Sequence, residues 1–525
     1  MRTKIFILVG LNLFLINCFA QQPTQEWVRR YTDTSAANWS NNGIKTDRMG
    51  NIYVLAESGT FGFIKYSPAG NFITIASYFP PGYLNGGGDY FDVTPNGDVY
   101  ITGKISINFN SWIYTIKYNT NGVAQWGKLY IPDNSDASND IKVDKNGNTF
   151  IIGTSLIGTQ RFGLIIKYSP TGDTLWTRKF NNGQNTAGFV KMILDDSNNV
   201  CVTGLITNGG HFFLGKYSPS GDLIWYNSMS QYDYGRGIGM DINGNLYIVG
   251  TSTVGSDEVS YLLKSNNNGN IQWAKYYGGY VSGSESLWGP AISSDGNSIY
   301  YTARKFNTSS GTDIVTIKYN SLGDTQWVKL FNGIPYYNLP AGITIDKYNN
   351  IYVIGTVYFP STAGDFTTIK YLPSGIQEWV ATYTGEISNG NDYGTGVLVD
   401  SNLNVYVIGN STNLHGGLDA VTIKYSQPIG IQPISNEIPK SYSLSQNYPN
   451  PFNPSTAIKF DITKAGNVSL KIYDINGKEV YSVNEFKSAG QYEFTFDASN
   501  YASGLYFYML ESGEFTETKK MILIK

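Results

Sequence analysis

Two histidines and two cysteines are all that this chain of 525 residues contains. His211 and His415 stand far apart, both expected in loops after a repeat's second strand, and no Cys-x-x-Cys pair occurs, so a multi-histidine or cysteine zinc site is implausible. Charged residues make up only 15% of the chain, with a formal net charge of −3, which leaves no basic field to hold nucleic acid or anionic lipid. A sustained 3.6-residue apolar period is missing throughout, which excludes a helical architecture. Also missing are the Gly-x-Ser-x-Gly nucleophile elbow, the phosphate-binding P-loop and the His-Glu-x-x-His helix. No cofactor is expected. The enzyme expectation falls without vanishing, because carboxylates from separate repeats can still meet at one mouth.

Long hydrophobic runs are scarce too. The segment from Ile5 to Ile16 is too short to span a bilayer comfortably, follows Arg2 and Lys4, and leads to Cys18-Phe19-Ala20, so residues 1–20 read as a signal peptide cut between Ala20 and Gln21. The rival reading is a lipoprotein acylated at Cys18, with Leu15 three positions ahead, although Asn17 fits that signal poorly. Cleavage after Ala20 leaves no transmembrane segment and one cysteine, Cys201, in the run Val200-Cys201-Val202. Its alternating apolar setting favours a buried small hydrophobe over a nucleophile.

Glycine, tyrosine and tryptophan, by contrast, are abundant and ordered. Trp27, Phe72, Trp126, Trp176, Trp225, Trp273, Trp327 and Trp379 recur about every fifty residues. A Lys-Tyr pair recurs with them, at Lys65-Tyr66, Lys117-Tyr118, Lys167-Tyr168, Lys216-Tyr217, Lys318-Tyr319, Lys370-Tyr371 and Lys424-Tyr425, with Lys264-Ser265 degenerate. A turn anchor is read at Asp47, Asp92, Asp144, Asp195 or Asp196, Asp241, Asp295, Asp346 and Asp400, giving eight copies. In one copy, Ile141–Asp144 and Thr149–Ile152 form a hairpin around Asn146-Gly147-Asn148, and Leu164–Tyr168 and Leu175–Phe180 form a second around Thr171-Gly172-Asp173.

Four-stranded units of this kind bury both faces only by stacking around an axis, so the expectation is an all-β chain with an eight-bladed β-propeller over residues 21–426. The Trp27–Tyr31 segment precedes the first inner strand and should complete the last blade. The pattern Asp-x-x-Gly-Asn-x-Tyr-Val-x-Gly, then Lys-Tyr, then Gly-x-x-x-Trp, resembles the bacterial SBBP-type β-propeller repeat over roughly residues 25–426. Departures are modest: Phe72 for tryptophan, Ser265 for tyrosine, and Ala56 and Ala303 for the closing glycine.

Residues 427–440, with Pro428, Pro433 and Pro439, read as an extended linker, and 441–525 as a small Ig-like β-sandwich with strands near 457–462, 468–474, 479–483, 491–497, 504–510 and 516–524. This tail resembles the C-terminal sorting domain of the type IX (Por) secretion system. The resemblance rests on Asn447-Tyr448-Pro449-Asn450-Pro451-Phe452-Asn453-Pro454, Ile472 to Val480, Ser503 to Phe507 and Lys519-Lys520-Met521. It implies passage across the outer membrane to the cell surface or beyond, with the type IX machinery as partner. A permanent Ig-like accessory module is the bland alternative.

The stretches Asp144–Asn148 and Asp241–Asn245 offer alternate oxygen ligands suited to calcium but lack the terminal glutamate, and turn chemistry accounts for them equally well. Binding is sought instead in what does not repeat. The connections between a tryptophan strand and the next inner strand carry Trp39, Tyr90, Tyr232, Tyr234, Trp288, Tyr336, Tyr337 and Tyr393 among polar neighbours, a composition suited to a glycan or protein ligand. The reading is an exported, non-catalytic interaction module; the competing classes are a secreted polysaccharide- or peptide-cleaving hydrolase or lyase, and a structural envelope protein.

Overall fold

The computed structural model describes residues 22–525 except 32–39, 58, 84, 108–109, 132–134, 182–185, 208–210, 230–233, 255–256, 278–286, 308–310, 332–336, 360–362, 388, 428–429, 436 and 499–500. Cys18, Ala20, Gln21, Trp39, Tyr232 and Tyr336 lie outside the described residues. The described residues contain strands and turns and no helix. Ten four-stranded antiparallel sheets account for the strands, and those built from residues 24–426 have the layout of propeller blades.

The turn chemistry explains why each hairpin forms where it does. In the third sheet the Asp144 Oδ1 accepts from the backbone N–H groups of Asn146 and Asn148, both at 2.9 Å, its Oδ2 accepts from Asn148 Nδ2 at 2.8 Å, and Gly147 supplies the required positive φ of 82°. Strands Ser135–Val143 and Thr149–Ile157 extend from that turn, longer than their apolar residues alone mark, because backbone pairing continues through polar positions. Two expected anchors are displaced. The second unit turns at Thr94–Asp98 and the sixth at Ser293–Ser298, where Thr94 and Ser293 take the aspartate's place; Asp92 and Asp295 are not the anchors. Asp92 lies inside the strand Asn85–Val93.

Numbering units 1 to 8 from Ser40, the first strands are Ser40–Thr46, Asn85–Val93, Ser135–Val143, Thr186–Leu194, Tyr234–Met240, Leu287–Ile292, Leu339–Ile345 and Asp392–Val399. Each packs against the first strand of the next unit, and that of unit 8 packs back onto that of unit 1. The fourth strand of unit 8 is Thr24–Tyr31, paired antiparallel to Leu418–Ser426 with Trp27 opposite Lys424 and Val28 opposite Ile423. Arg30 bolts this strand in place: it contacts the Asp419 carboxylate at 2.9 Å and donates to Tyr383 Oη at 3.2 Å and Ser411 Oγ at 3.1 Å. Aromatic and aliphatic side chains such as Tyr53, Phe150, Tyr301 and Tyr352 fill the spaces between sheets and are fully buried.

The remaining two sheets face each other over a core that includes Phe460, Leu470, Phe494 and Tyr508. Part of the expected linker proves structured: Gln432–Ser435 pairs with Gly490–Asp497, and Ile431 enters the same core. Pro433 is tolerated because this strand is at a sheet edge with an irregular register.

The ion pair at the seam is sheltered, with side-chain exposures of 14% for Arg30 and 3% for Asp419. Arg30→Leu strips the guanidinium from a buried carboxylate and should lower the unfolding free energy by about 3 kcal/mol in urea titration. A loss below about 1 kcal/mol, the level of a surface pair, would contradict this role for the seam strand.

Candidate functional site

The repeated polar residues are occupied in joining neighbouring units. Trp176 Nε1 and Lys167 Nζ of unit 3 both donate to the Pro219 carbonyl of unit 4, at 3.1 and 2.8 Å. Beneath the indole lies Gly221, with φ of 86°, where a Cβ would come within 2.9 Å of the ring. Trp273 and Lys264 share the Ser321 carbonyl in the same way, and Trp327 and Lys318 share that of Pro373. The lysines also lie over aromatic rings of their own sheets, Lys65 being 4.9 Å from the Tyr53 centroid. Burial holds Lys65, Lys167 and Lys318 below the ordinary lysine range.

Unit 7 meets no such turn, because the fourth strand of unit 8 comes from residues 24–31. Gln427 fills the gap: Trp379 Nε1 donates to its Oε1 at 3.2 Å, while its Nε2 donates to Tyr352 Oη at 2.7 Å and to the Leu403 carbonyl at 2.9 Å. The expected linker included this residue; no repeat pattern marks it, since it occupies a place that only the seam possesses.

Five of the candidate aromatics lie among the described residues. Tyr90, Tyr234, Trp288 and Tyr393 lie in first strands rather than in the expected connections, because those strands start earlier than the apolar residues indicate. Tyr90 is half-buried with the Lys191 ammonium 5.0 Å from its ring centroid. Tyr234 is 37% exposed, and the Arg236 guanidinium sits 4.8 Å over its ring. The backbone of Trp288 pairs opposite Thr302. Tyr393 hydrogen-bonds Tyr358, whose phenol is pushed up to about 12 by burial and then by Tyr393. Tyr337 is 61% exposed and bridges to Thr312. Units 5, 6, 7 and 8, which are consecutive, thus carry Tyr234, Trp288, Tyr337 and Tyr393, and Tyr90 of unit 2 stands apart from them.

A tighter arrangement appears once the turns are registered on Thr94 and Ser293. Four residues before each turn stand, in order, Gly43, Tyr90, Asp140, Lys191, Gly237, Gly289, Gly342 and Gly396. At one of these positions the backbones approach closely: a Cβ on Gly237 would fall 1.9 Å from the Gly289 carbonyl oxygen. Units 2, 3 and 4 break the rule, and their side chains meet, with Lys191 Nζ 4.0 Å from Asp140 Oδ1 as well as over Tyr90. Two residues nearer the turn, units 1 to 3 carry Lys45, Asp92 and Lys142, and Lys45 Nζ lies 3.4 Å from Asp92 Oδ1. The second oxygens of Asp92 and Asp140 accept from the backbone N–H groups of Val143 and Met192 at 3.0 and 3.1 Å. Sequence reading missed this cluster because taking Asp92 as a turn anchor shifts unit 2 by two residues and hides the glycine rule.

His211 opens the strand His211–Tyr217 instead of lying in a loop, and His415 lies in the turn 413–417. Among the described residues no three or more histidine, cysteine, aspartate or glutamate side chains group to hold a metal. The Asp144 and Asp241 carboxylates are engaged by their own turns.

Residues 446–525 match the family described as secretion system C-terminal sorting domain. The chain carries a type IX sorting domain. Residues 230–256 and 381–414 match a β-propeller repeat family. The sorting domain directs export across the outer membrane by the type IX machinery, to the cell surface or the medium. No curated protein matches the chain. Solved structures similar to it include a protein of unknown function from Bacteroides caccae, at 11% identity over 57% of this chain and 97% of the other with a TM-score of 0.31. Sqt1 from Chaetomium thermophilum is 8% identical over 77% of this chain and 100% of its own, with a TM-score of 0.45. A polysaccharide lyase, PL25 ulvan lyase, is 8% identical over 75% and 95%, with a TM-score of 0.39. TM-scores below 0.5 transfer no chemistry from these proteins.

Within the sorting domain the Asn-Tyr-Pro segment is held by buried polar contacts. Tyr508 Oη accepts from the Asn447 N–H and donates to the Ser445 carbonyl, both at 2.9 Å, while Asn447 Nδ2 donates to Thr456 Oγ1 at 2.9 Å. The domain rests on unit 7 through Tyr348 Oη donating to Glu493 Oε1 at 2.9 Å and Asn350 Nδ2 donating to Gln432 Oε1 at 3.0 Å. Among the described residues, no helix is long and apolar enough to cross a membrane.

Cys201 is fully buried, and desolvation pushes its thiol up to about 12. Iodoacetamide at pH 8 should therefore leave Cys201 unmodified in the native protein and alkylate it in urea, as read by intact mass. Rapid native labelling would point instead to an activated thiol.

Proposed function

We propose that residues 21–426 form one closed eight-bladed β-propeller, that residues 441–525 form an Ig-like sandwich, and that the exported protein serves as a non-catalytic interaction module for a glycan or protein ligand. The signal peptide over residues 1–20 belongs to the same proposal. One observation carries the binding reading: the recurring polar side chains are bound up in turns and inter-unit contacts, whereas the non-recurring aromatics Tyr234, Tyr337 and Tyr393 stand at or just before the beginnings of first strands. Rings of this kind supply apolar area while neighbouring polar groups fix orientation. The hydrolase or lyase reading needs carboxylates able to exchange protons, and Asp92 has one oxygen committed to a backbone amide and the other beside Lys45, while both oxygens of Asp140 accept from backbone amides.

Glycan and peptide arrays probed with the purified mature chain test the proposal. A ligand so found should lose at least tenfold in affinity when Tyr234, Tyr337 and Tyr393 are all changed to alanine, with an unaltered melting temperature, on the order of the loss of one or two interface hot spots. Unchanged affinity of the triple variant would contradict the binding face, and turnover of the bound ligand would contradict the non-catalytic reading.

A further inference from the structure

A repeat position that is glycine in five units and carries Tyr90, Asp140 and Lys191 in the three consecutive others is a local departure from the repeat. The departure leaves polar groups where first strands converge. Lys45 and Lys191 belong to first strands that pack on their neighbours, yet their side chains are 38% and 36% accessible.

We propose that Lys45, Tyr90, Asp92, Asp140, Lys142 and Lys191 form an axial binding site for the carboxylate of a small organic acid. Three ammonium groups face two carboxylates, so the cluster has one positive charge in excess, matched by one carboxylate. The imbalance is sharpened locally, because Asp92 and Asp140 each turn one oxygen to the amide of the next unit, and the other oxygen of Asp140 also accepts from the Ile141 N–H at 3.1 Å. The Asp140 carboxylate, with a smaller contribution from Asp92, holds Lys142 above the ordinary lysine range against its burial, and the Lys142 ammonium is the main reason that Lys45 lies below that range, with burial second. A ligand carboxylate between Lys45 and Lys142 would relieve that repulsion through charge-assisted hydrogen bonds. The matching positions of units 5, 6 and 8 are Gly239, Ala291 and Leu398, which carry no charge, so the charged cluster is confined to units 1 to 4. The site uses the axial space of the proposed propeller and is separate from its aromatic face.

The test is calorimetric titration of the full mature chain with sodium glucuronate at low ionic strength, with glucose as the neutral control. Glucuronate should bind and glucose should not. Lys142→Met should weaken glucuronate binding at least tenfold, and Lys145→Met, on an exposed turn, should leave it unchanged. Asp92→Asn should tighten binding, since it removes one competing anion, and a gain of affinity cannot arise from misfolding. Glucuronate binding no better than glucose, or an affinity unmoved by both Lys142→Met and Asp92→Asn, would overturn the axial site. Loss of binding in Lys142→Met with no loss in Tyr234→Ala separates it from the aromatic face.

Discussion

Sheet-to-sheet cohesion in this protein draws on a contact seen in full where units 3, 5 and 6 meet the next unit, a backbone carbonyl that receives both an indole N–H and a lysine ammonium from the preceding unit above a glycine of positive φ. Such a hydrogen bond is worth about 1 kcal/mol net, so no single one decides stability. The steric term is stricter, because the indole lies so close to Gly221, Gly269, Gly323 and Gly375 that a side chain there would displace it. Each unit therefore dictates the turn chemistry of the next, and nearest-neighbour coupling of this kind propagates through an array. Gln427 and Arg30 deserve the same standing as the tryptophans, since they supply at the seam what the repeat supplies elsewhere.

Most of the repeat grammar was legible from residues alone because each anchor has a local cause. The aspartate accepts from amides two and four residues ahead, a relation confined to five residues of sequence. The Trp27 strand was foreseeable for a similar reason, as the phase of the repeat demands a fourth strand that the last copy lacks. Tail strands were equally visible, and the turn between the second and third of them has the Gly477 N–H bonded to the Asp474 carbonyl. Residues whose roles depend on distant partners were not. Gln427 and Gln432 looked like linker because their contacts with Trp379 and Asn350 reach 48 and 82 residues along the chain. Asp92 was misread since an aspartate two residues before the true turn satisfies the same local pattern.

The same displacement explains why the candidate site looked wholly aromatic in sequence. Variable loops advertise themselves by failing to repeat, whereas Tyr90, Asp140 and Lys191 fail to repeat only against a glycine rule that needs the correct register. The aromatic residues and the axial charges also differ physically. Tyr337 stands exposed near a unit's entrance, while Asp140 is buried at an inter-unit contact and contributes to packing as well as to charge. Export by the sorting domain and cohesion of the propeller-type sheets meet at unit 7, where Tyr348 and Asn350 bind the tail beside the seam.

Closure through the N-terminal strand is tested most directly by hydrogen exchange with mass spectrometry on the mature chain. Peptides covering Thr24–Tyr31 and Leu418–Ser426 should be protected alike and lose protection together as denaturant is raised, because each strand supplies the other's hydrogen bonds. Exchange of the 24–31 peptide within seconds, while 418–426 stays protected, would show an open array and contradict the account.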